Sequence, residues 1–246
     1  MMKRSVVGSV VLAFALAVAG CGSSSSDGGG GSATNNITGT ISGSTFTQAD
    51  IAAFMATGDS CSLSLVPSIP LGVSMAVTEV TNVAGVCAAA TSCALKKSST
   101  GIYVIIARAH PGIPGGTAAA PGLAAGTYNF IDLTNPSSVG TSLVPDSTGN
   151  YNIFAAAVLS LNGTCTPSPL VVSTGTLSVT AASATSVSGT VNLTLAGGAG
   201  TVSGNFTTST CAGVPTQDAC ALLNSILGGT GGIGNSNCNA SNTTCT

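Results

Sequence analysis

Apolar and polar residues alternate with period two over much of this chain, and that alternation predicts strands buried on one face. The clearest case lies late in the sequence. Leu177 and Val179, then Val187, Val191, Leu193 and Leu195, then Val202 and Phe206 mark three successive stretches, with Ser, Thr and Asn between them. Ala181–Ser186 and Gly197–Gly200 supply the turns, so this region predicts a meander with one apolar face and one Ser/Thr/Asn face. Ile37 to Ile41 alternates in the same way. Phe46–Thr57 admits two readings. Thr47 with Asp50 three residues on can cap a helix bearing Ile51, Phe54 and Met55, or the stretch is a strand turning into the core; its strand neighbours favour the second. Cys61–Val66 and Val73–Val80 read as strands separated by Pro67, Pro70 and Gly72. Ile102–Ala107 is continuously apolar, which fits a central strand covered on both faces.

Pro111–Gly126, with Pro-Gly three times, reads as a long loop. Gly126–Leu133 and Tyr151–Leu161 read as further strands, the second ended by Asn162 and Gly163. Gln217–Leu227 predicts a short helix, and 228–246 a Gly/Asn/Thr tail with two cysteines. No convincing helices alternate with the strands, which argues against a βαβ architecture, and no fixed-period repeat points to a solenoid or propeller. The expected fold is all-β: an antiparallel sandwich of jelly-roll type or a β-barrel, with a short C-terminal helix and a disulfide-bearing tail. The expected domain is 35–215, followed by the helix and tail at 216–246.

The first 34 residues have a different pattern. Lys3 and Arg4 precede an apolar run from Val6 to Val18, and small residues lead to a cysteine in Val18-Ala19-Gly20-Cys21. A basic start, a short apolar run and small residues before a cut describe a secretory signal, and the run is too short to span a bilayer comfortably. With Cys21 directly after Ala19-Gly20, the segment resembles the bacterial lipoprotein signal (lipobox). That resemblance implies removal of 1–20, lipidation of Cys21 on sulfur with palmitate-type acyl chains, and membrane attachment in the cell envelope. Gly22, rather than an aspartate, resembles the signal for delivery to the outer membrane. Residues 21–34 then form the lipidated cysteine and a Gly/Ser tether with a root-mean-square reach of about 20 Å.

Charge is scarce. Beyond the signal there are three basic residues, Lys96, Lys97 and Arg108, against seven acidic ones, Asp27, Asp50, Asp59, Glu79, Asp132, Asp146 and Asp218, net −4. Such a surface offers no basic stripe for nucleic acid. After Cys21 come eight cysteines: Cys61, Cys87, Cys93, Cys165, Cys211, Cys220, Cys238 and Cys245. An even number in an exported chain reads as disulfides, though the connectivities allowed are on the order of a hundred. Proximity along the chain suggests Cys87–Cys93. Cys165–Cys211 would join across the sheet, Cys238–Cys245 would close the tail, and Cys61–Cys220 follows by elimination. If the tail cysteines pair with each other, deletion of 228–246 is tolerated. Metal binding is the rival use, but there is no C-x-x-C and His110 is the only histidine. No metal site or cofactor is expected.

Three pieces of sequence occur in an order that carries a further resemblance: Gly39–Phe46 (Gly-Thr-x-x-Gly-x-x-Phe), Ala125–Tyr128 (Ala-Gly-Thr-Tyr), and Val202–Phe206 followed by Cys211. Across 37–211 the chain resembles a group of uncharacterised β-rich lipoproteins of myxobacteria and related bacteria. The resemblance implies a β-rich envelope domain and no particular activity.

Candidate chemistry is thin. His110 sits at a strand end beside the long loop, but there is no G-x-S-x-G elbow, and an ordinary loop histidine accounts for it. Gly229–Gly234 spells G-x-G-x-x-G without the strand–helix setting that a dinucleotide site requires. Glu79 is the only glutamate and Asp132 the best-placed aspartate for a carboxylate pair. There is no Trp, and Tyr103, Tyr128 and Tyr151 are the only tyrosines, spaced for packing rather than for a sugar platform. Lys96, Lys97 and Arg108 together would make a small anion-attracting patch. Asp146–Asn150 reads as a turn more simply than as a calcium loop. The sequence thus favours a non-enzymatic, lipid-anchored surface, structural or binding module whose partner it does not name. Its rivals are a carrier of a small apolar ligand inside a barrel, and an envelope hydrolase built on His110.

Overall fold

The computed structural model describes residues 35–63, 66–132, 143–212, 214, 217–222 and 244–246. The fold is all-β. An eleven-stranded sheet runs in the order β12-β3-β4-β6-β8-β7-β9-β10-β11-β1-β2, and β8 also pairs with β9. Its strands are β1 (Thr38–Ile41), β2 (Ser44–Thr47), β3 (Asp50–Leu63), β4 (Val66–Thr81), β6 (Thr100–Pro111), β7 (Gly126–Phe130), β8 (Tyr151–Leu161), β9 (Pro167–Ala182), β10 (Ser186–Leu195), β11 (Gly200–Ser209) and β12 (Gln217–Asp218). A small second sheet joins β5 (Ala94–Leu95) to β13 (Thr244–Cys245), and one helix, α1 (Val86–Ser92), lies between β4 and β5. The large sheet curls into a half-barrel. An isolated bridge between Ala53 and Thr210, with Cys211 N donating to Ala53 O, brings β3 against the end of β11.

The two halves of the sheet are buried differently, as their sequences require. On β10, alternation is strict: Val187, Val191, Leu193 and Leu195 face inward while Thr190, Asn192 and Thr194 are exposed. On β6, both faces are covered. Ile102, Val104 and Ile106 point into the curl with Phe154, Leu177 and Phe206. Tyr103, Ile105 and Ala107 face the other way, into a second core with Val77, Val86, Ala90, Cys211, Ala219 and Leu222. A strand between two apolar layers has no polar face to spare, which is why its sequence is a continuous apolar run.

The strand reading of Phe46–Thr57 holds, divided between β2 and β3. β4 departs from expectation: it continues through Pro67 and Pro70 as one element. These prolines fall where pairing with β3 is already irregular, with register shifts between Gly58, Cys61 and Leu63, so little ladder is lost. The expected strand Gly126–Leu133 ends at Phe130. Of the expected helix Gln217–Leu227, residues 219–222 are helical, Gln217 and Asp218 instead pair in parallel with Ala56 and Thr57, and the rest lies outside the described residues.

The disulfides correct the expected pairing. Cys61–Cys220 forms as expected. Cys87 bonds Cys211 rather than Cys93, because α1 holds Cys87 over the outer core while Cys93 closes the helix in the left-handed conformation. Cys165 bonds Cys245 rather than Cys211, because the β5–β13 pairing brings the tail beside the β8–β9 turn. The expected Cys238–Cys245 bridge therefore cannot form. Cys93 is itself disulfide-bonded. The tail is thus stapled back onto the domain, and the condition for its dispensability fails.

Candidate functional site

Two polar clusters interrupt the apolar layers. The first closes one mouth of the half-barrel. Arg108 and Asn152 are direct cross-strand partners and continue the inward-facing row of Ile106 and Phe154. Arg108 Nη2 donates to Asp146 Oδ2 at 2.8 Å and Arg108 Nη1 to Gly122 O at 3.1 Å. Asp146 Oδ1 accepts from Thr148 Oγ1 and from the backbone N–H groups of Thr148 and Asn150. The Thr148 hydroxyl first, and then the Arg108 guanidinium, hold the Asp146 carboxyl well below the usual carboxylate range. The segment Asp146–Asn150 is therefore a turn organised by its own aspartate, as expected.

His110 lies on the same inward row, and its Nδ1 is 3.0 Å from Asn150 Oδ1. An amide oxygen only accepts, so Nδ1–H is the donor and Nε2 is left for another partner. Tyr128 Oη donates to Ala124 O at 2.9 Å, and burial above all raises the Tyr128 pKa. Two buried atoms at this mouth have no hydrogen-bond partner, Arg108 Nε and Asn152 Oδ1. One is a donor and the other an acceptor, the pairing that a single bridging water satisfies.

The second cluster sits on the outer face beneath α1. Glu79 and Tyr103 are cross-strand partners, and Tyr103 Oη donates to Glu79 Oε1 at 2.9 Å. Glu79 Oε2 is buried without a partner. It lines a cavity of about 30 Å³ with Val86, Ala89, Leu95, Ser99 and Leu159, and with Lys96 also in the lining. Burial pushes the Glu79 carboxyl up to about 8, the Tyr103 hydrogen bond opposes this, and the Asp50 charge adds to it. Burial likewise raises Tyr103 well above the tyrosine range. Burial thus favours the neutral, protonated form of Glu79. Nearby, Asp50 Oδ2 accepts from the backbone N–H of Gly85 and Val86. The residue read as a possible cap within Phe46–Thr57 caps the start of α1 from another strand instead.

The structure separates what a catalytic reading would need together. Among the described residues, His110 makes its side-chain hydrogen bond to Asn150 rather than to a serine or an aspartate. Glu79 lies on the outer layer, while Asp132 follows the end of β7, which runs parallel to β8 and away from the mouth. Lys96 and Lys97 follow β5 at the end of the sheet where β6 begins, and Arg108 lies near the end of β6, so they do not form one patch. Gly229–Gly234 falls outside the described residues. Among the described residues no group of three or more His, Cys, Asp or Glu gathers to hold a metal ion, and no helix is long and apolar enough to cross a membrane. The interior of the curl is filled by Ile37, Phe46, Tyr128, Phe154, Leu177, Leu193 and Phe206. A second cavity of about 110 Å³ lies at the seam, lined by Met55, Thr185, Thr210 and Cys211 among others.

Sequence reasoning noted Glu79 and Tyr103 separately but not their pairing. The signal was their positions in two apolar runs that turn out to be adjacent antiparallel strands. No protein-family model, curated protein or solved structure matches this chain.

Proposed function

We propose that this protein is a lipid-anchored, non-enzymatic β domain of the cell envelope, held at the outer membrane through Cys21 and built to persist outside the cell as a surface or binding module. The observation that carries the reading is the combination of the Val18–Cys21 signal with three long-range disulfides, spanning 159, 124 and 80 positions. Such staples form in oxidising compartments and make a domain resistant to unfolding there. Scarce charge and exposed Ser, Thr and Asn on β9–β11 suit a domain whose solubility rests on neutral polar groups. The packed interior supports a binding role on the outside of the sheet over carriage of an apolar ligand within it.

Attachment is tested by labelling cells with palmitate. The wild-type chain is expected to take up label and to fractionate with membranes. Cys21→Ser is expected to lose the label and to be released or left as a precursor. Two acyl chains already suffice for stable anchoring, so partial release is not expected, and equal labelling of Cys21→Ser would sink the assignment.

The inert reading of His110 has its own test. His110→Ala removes one part-buried hydrogen bond, to the buried Asn150, and is expected to cost about 1–3 kcal/mol of stability. It should complement a deletion strain as well as the parent does. If the purified domain hydrolyses ester, peptide or glycoside substrates, and His110→Ala abolishes that turnover, the hydrolase reading replaces this one.

A further inference from the structure

We propose that the end of the half-barrel carrying Ile113 and Val144 rests on the lipid surface to which the chain is tethered, with these two side chains entering the neutral headgroup layer. The inference rests on the lipid-anchor reading for its biological setting. The orientation itself follows from topology.

Among the described residues, Ile113 and Val144 are the large hydrophobic side chains that stay exposed, each at 73 %. Isolated exposed aliphatic residues are common and by themselves say nothing. Here both follow or precede strand ends at one end of the sheet. Ile113 is two residues beyond the end of β6, and Gly116 N donates to Ile113 O to close a turn that projects its side chain. Val144 lies two residues before Asp146, which is bonded to Arg108 near the end of β6.

The tether joins the domain at this same end. β6 ends here, so its antiparallel neighbour β8 begins here, β9 ends here, β10 begins here and β11 ends here. β1 is antiparallel to β11 and therefore begins here. Asn36 N donates to Asn205 O and Thr207 N donates to Asn35 Oδ1, which lays the first described residues along the last part of β11. The chain between Cys21 and Asn35 is short, with a reach of about 20 Å, so the end it joins is the end held nearest the bilayer.

Charge agrees with this placement. The described loops at this end, 112–125 and 143–145, contain no charged residue. Arg108 is neutralised by Asp146 at 2.8 Å, and Asp59, near the same end, is tied to the backbone of Ala120. The lysines Lys96 and Lys97 follow β5 at the opposite end, where β6 begins. Uncharged loops flanked by the exposed acids Asp59 and Asp218 suit a zwitterionic lipid surface rather than an anionic one. The lysine-bearing end, and the exposed turn Ala196–Gly198 between β10 and β11, would face away from it.

The chain has no tryptophan, so one introduced indole reports on its own surroundings. Ile113→Trp, Val144→Trp and, as the distal control, Ala196→Trp are made in the domain starting at Cys21. Each is coupled through the Cys21 thiol to a maleimide lipid in phosphatidylcholine vesicles with brominated acyl chains. Circular dichroism confirms that the exposed substitutions leave the fold intact. The Ile113→Trp and Val144→Trp indoles are expected to shift to shorter emission wavelength and to be quenched several-fold more strongly than the Ala196→Trp indole. Equal quenching of all three, or none at any position, overturns the proposal. The anchor in this assay is chemical, so a failure of native lipidation would appear only in the palmitate experiment and would leave this result standing.

Discussion

Unfolding free energy of the mature domain is expected to fall as pH rises from about 4.5 to about 8, and Glu79→Gln is expected to remove that slope. The Glu79 carboxyl is raised from 4.5 to about 8 in the folded protein, chiefly by burial. In that window the folded state holds a proton that the unfolded state has released. Stability is therefore fully present below the unfolded pKa and is lost as pH rises towards the folded one. Each pH unit costs about 1.4 kcal/mol, which over the whole interval amounts to roughly 5 kcal/mol. That is a large share of the ordinary stability of a domain. Gln is close in shape, retains a carbonyl oxygen to accept from Tyr103 Oη, and carries no titrating proton. Urea titrations at several pH values, with disulfides intact, would give a sloping series for the wild type and a flat one for Glu79→Gln. If the two proteins ran in parallel, the folded carboxyl would be finding a countercharge or water that keeps it ionised. The cavity beneath α1 would then be a solvated site rather than a sealed one.

The same pair marks where the sequence was legible and where it was not. Period-two alternation is a local property, so β10 and β11 could be read with their faces assigned. The continuous run of β6 likewise announced burial on both sides. Neither pattern says which strand lies beside which. Glu79 and Tyr103 meet because β4 and β6 pair in one particular register, and no spacing along the chain contains that information. α1 escaped notice for another reason. Its buried residues are Val86, Ala89 and Ala90, a helical spacing made mostly from alanine, and small residues give a weak periodic signal. Asp50 was seen as a possible helix cap, but its helix begins 36 residues later in the chain. Nothing along the chain marks out Gly58, which lies in β3. A Cβ there would come within 2.6 Å of Cys220 Sγ and 2.9 Å of Cys61 Sγ, so the irregularity in β3 makes room for a disulfide whose second cysteine lies far downstream. The pairing errors have the same origin. Nearness in sequence suggested Cys87–Cys93 and Cys238–Cys245, whereas the fold brings distant segments together and makes its bridges there.

Ending the chain after residue 216 is expected to be the most damaging single change available, despite the unremarkable composition of the tail. It removes Cys61–Cys220 and Cys165–Cys245, which close 159 and 80 positions. Each bridge contributes about 2–4 kcal/mol, chiefly by restricting the unfolded chain. It also strips Ala219 and Leu222 from the outer core, where they cover the face of the sheet formed by β3, β4, β6 and β8. An exposed apolar sheet face is an invitation to aggregation. The truncated chain is therefore expected not to accumulate as a folded monomer, as seen by gel filtration and near-ultraviolet circular dichroism. Paired substitutions separate the two effects. Cys165→Ser with Cys245→Ser removes one staple and leaves the outer core covered, so it should fold with a lowered unfolding midpoint. Leu222→Ala keeps the staples but thins the cover, and should cost about 2–5 kcal/mol if the site cannot collapse around the gap. A truncated domain that unfolded at the wild-type midpoint would mean that the curled sheet is self-sufficient. The staples would then serve to fix the tail rather than to hold the barrel.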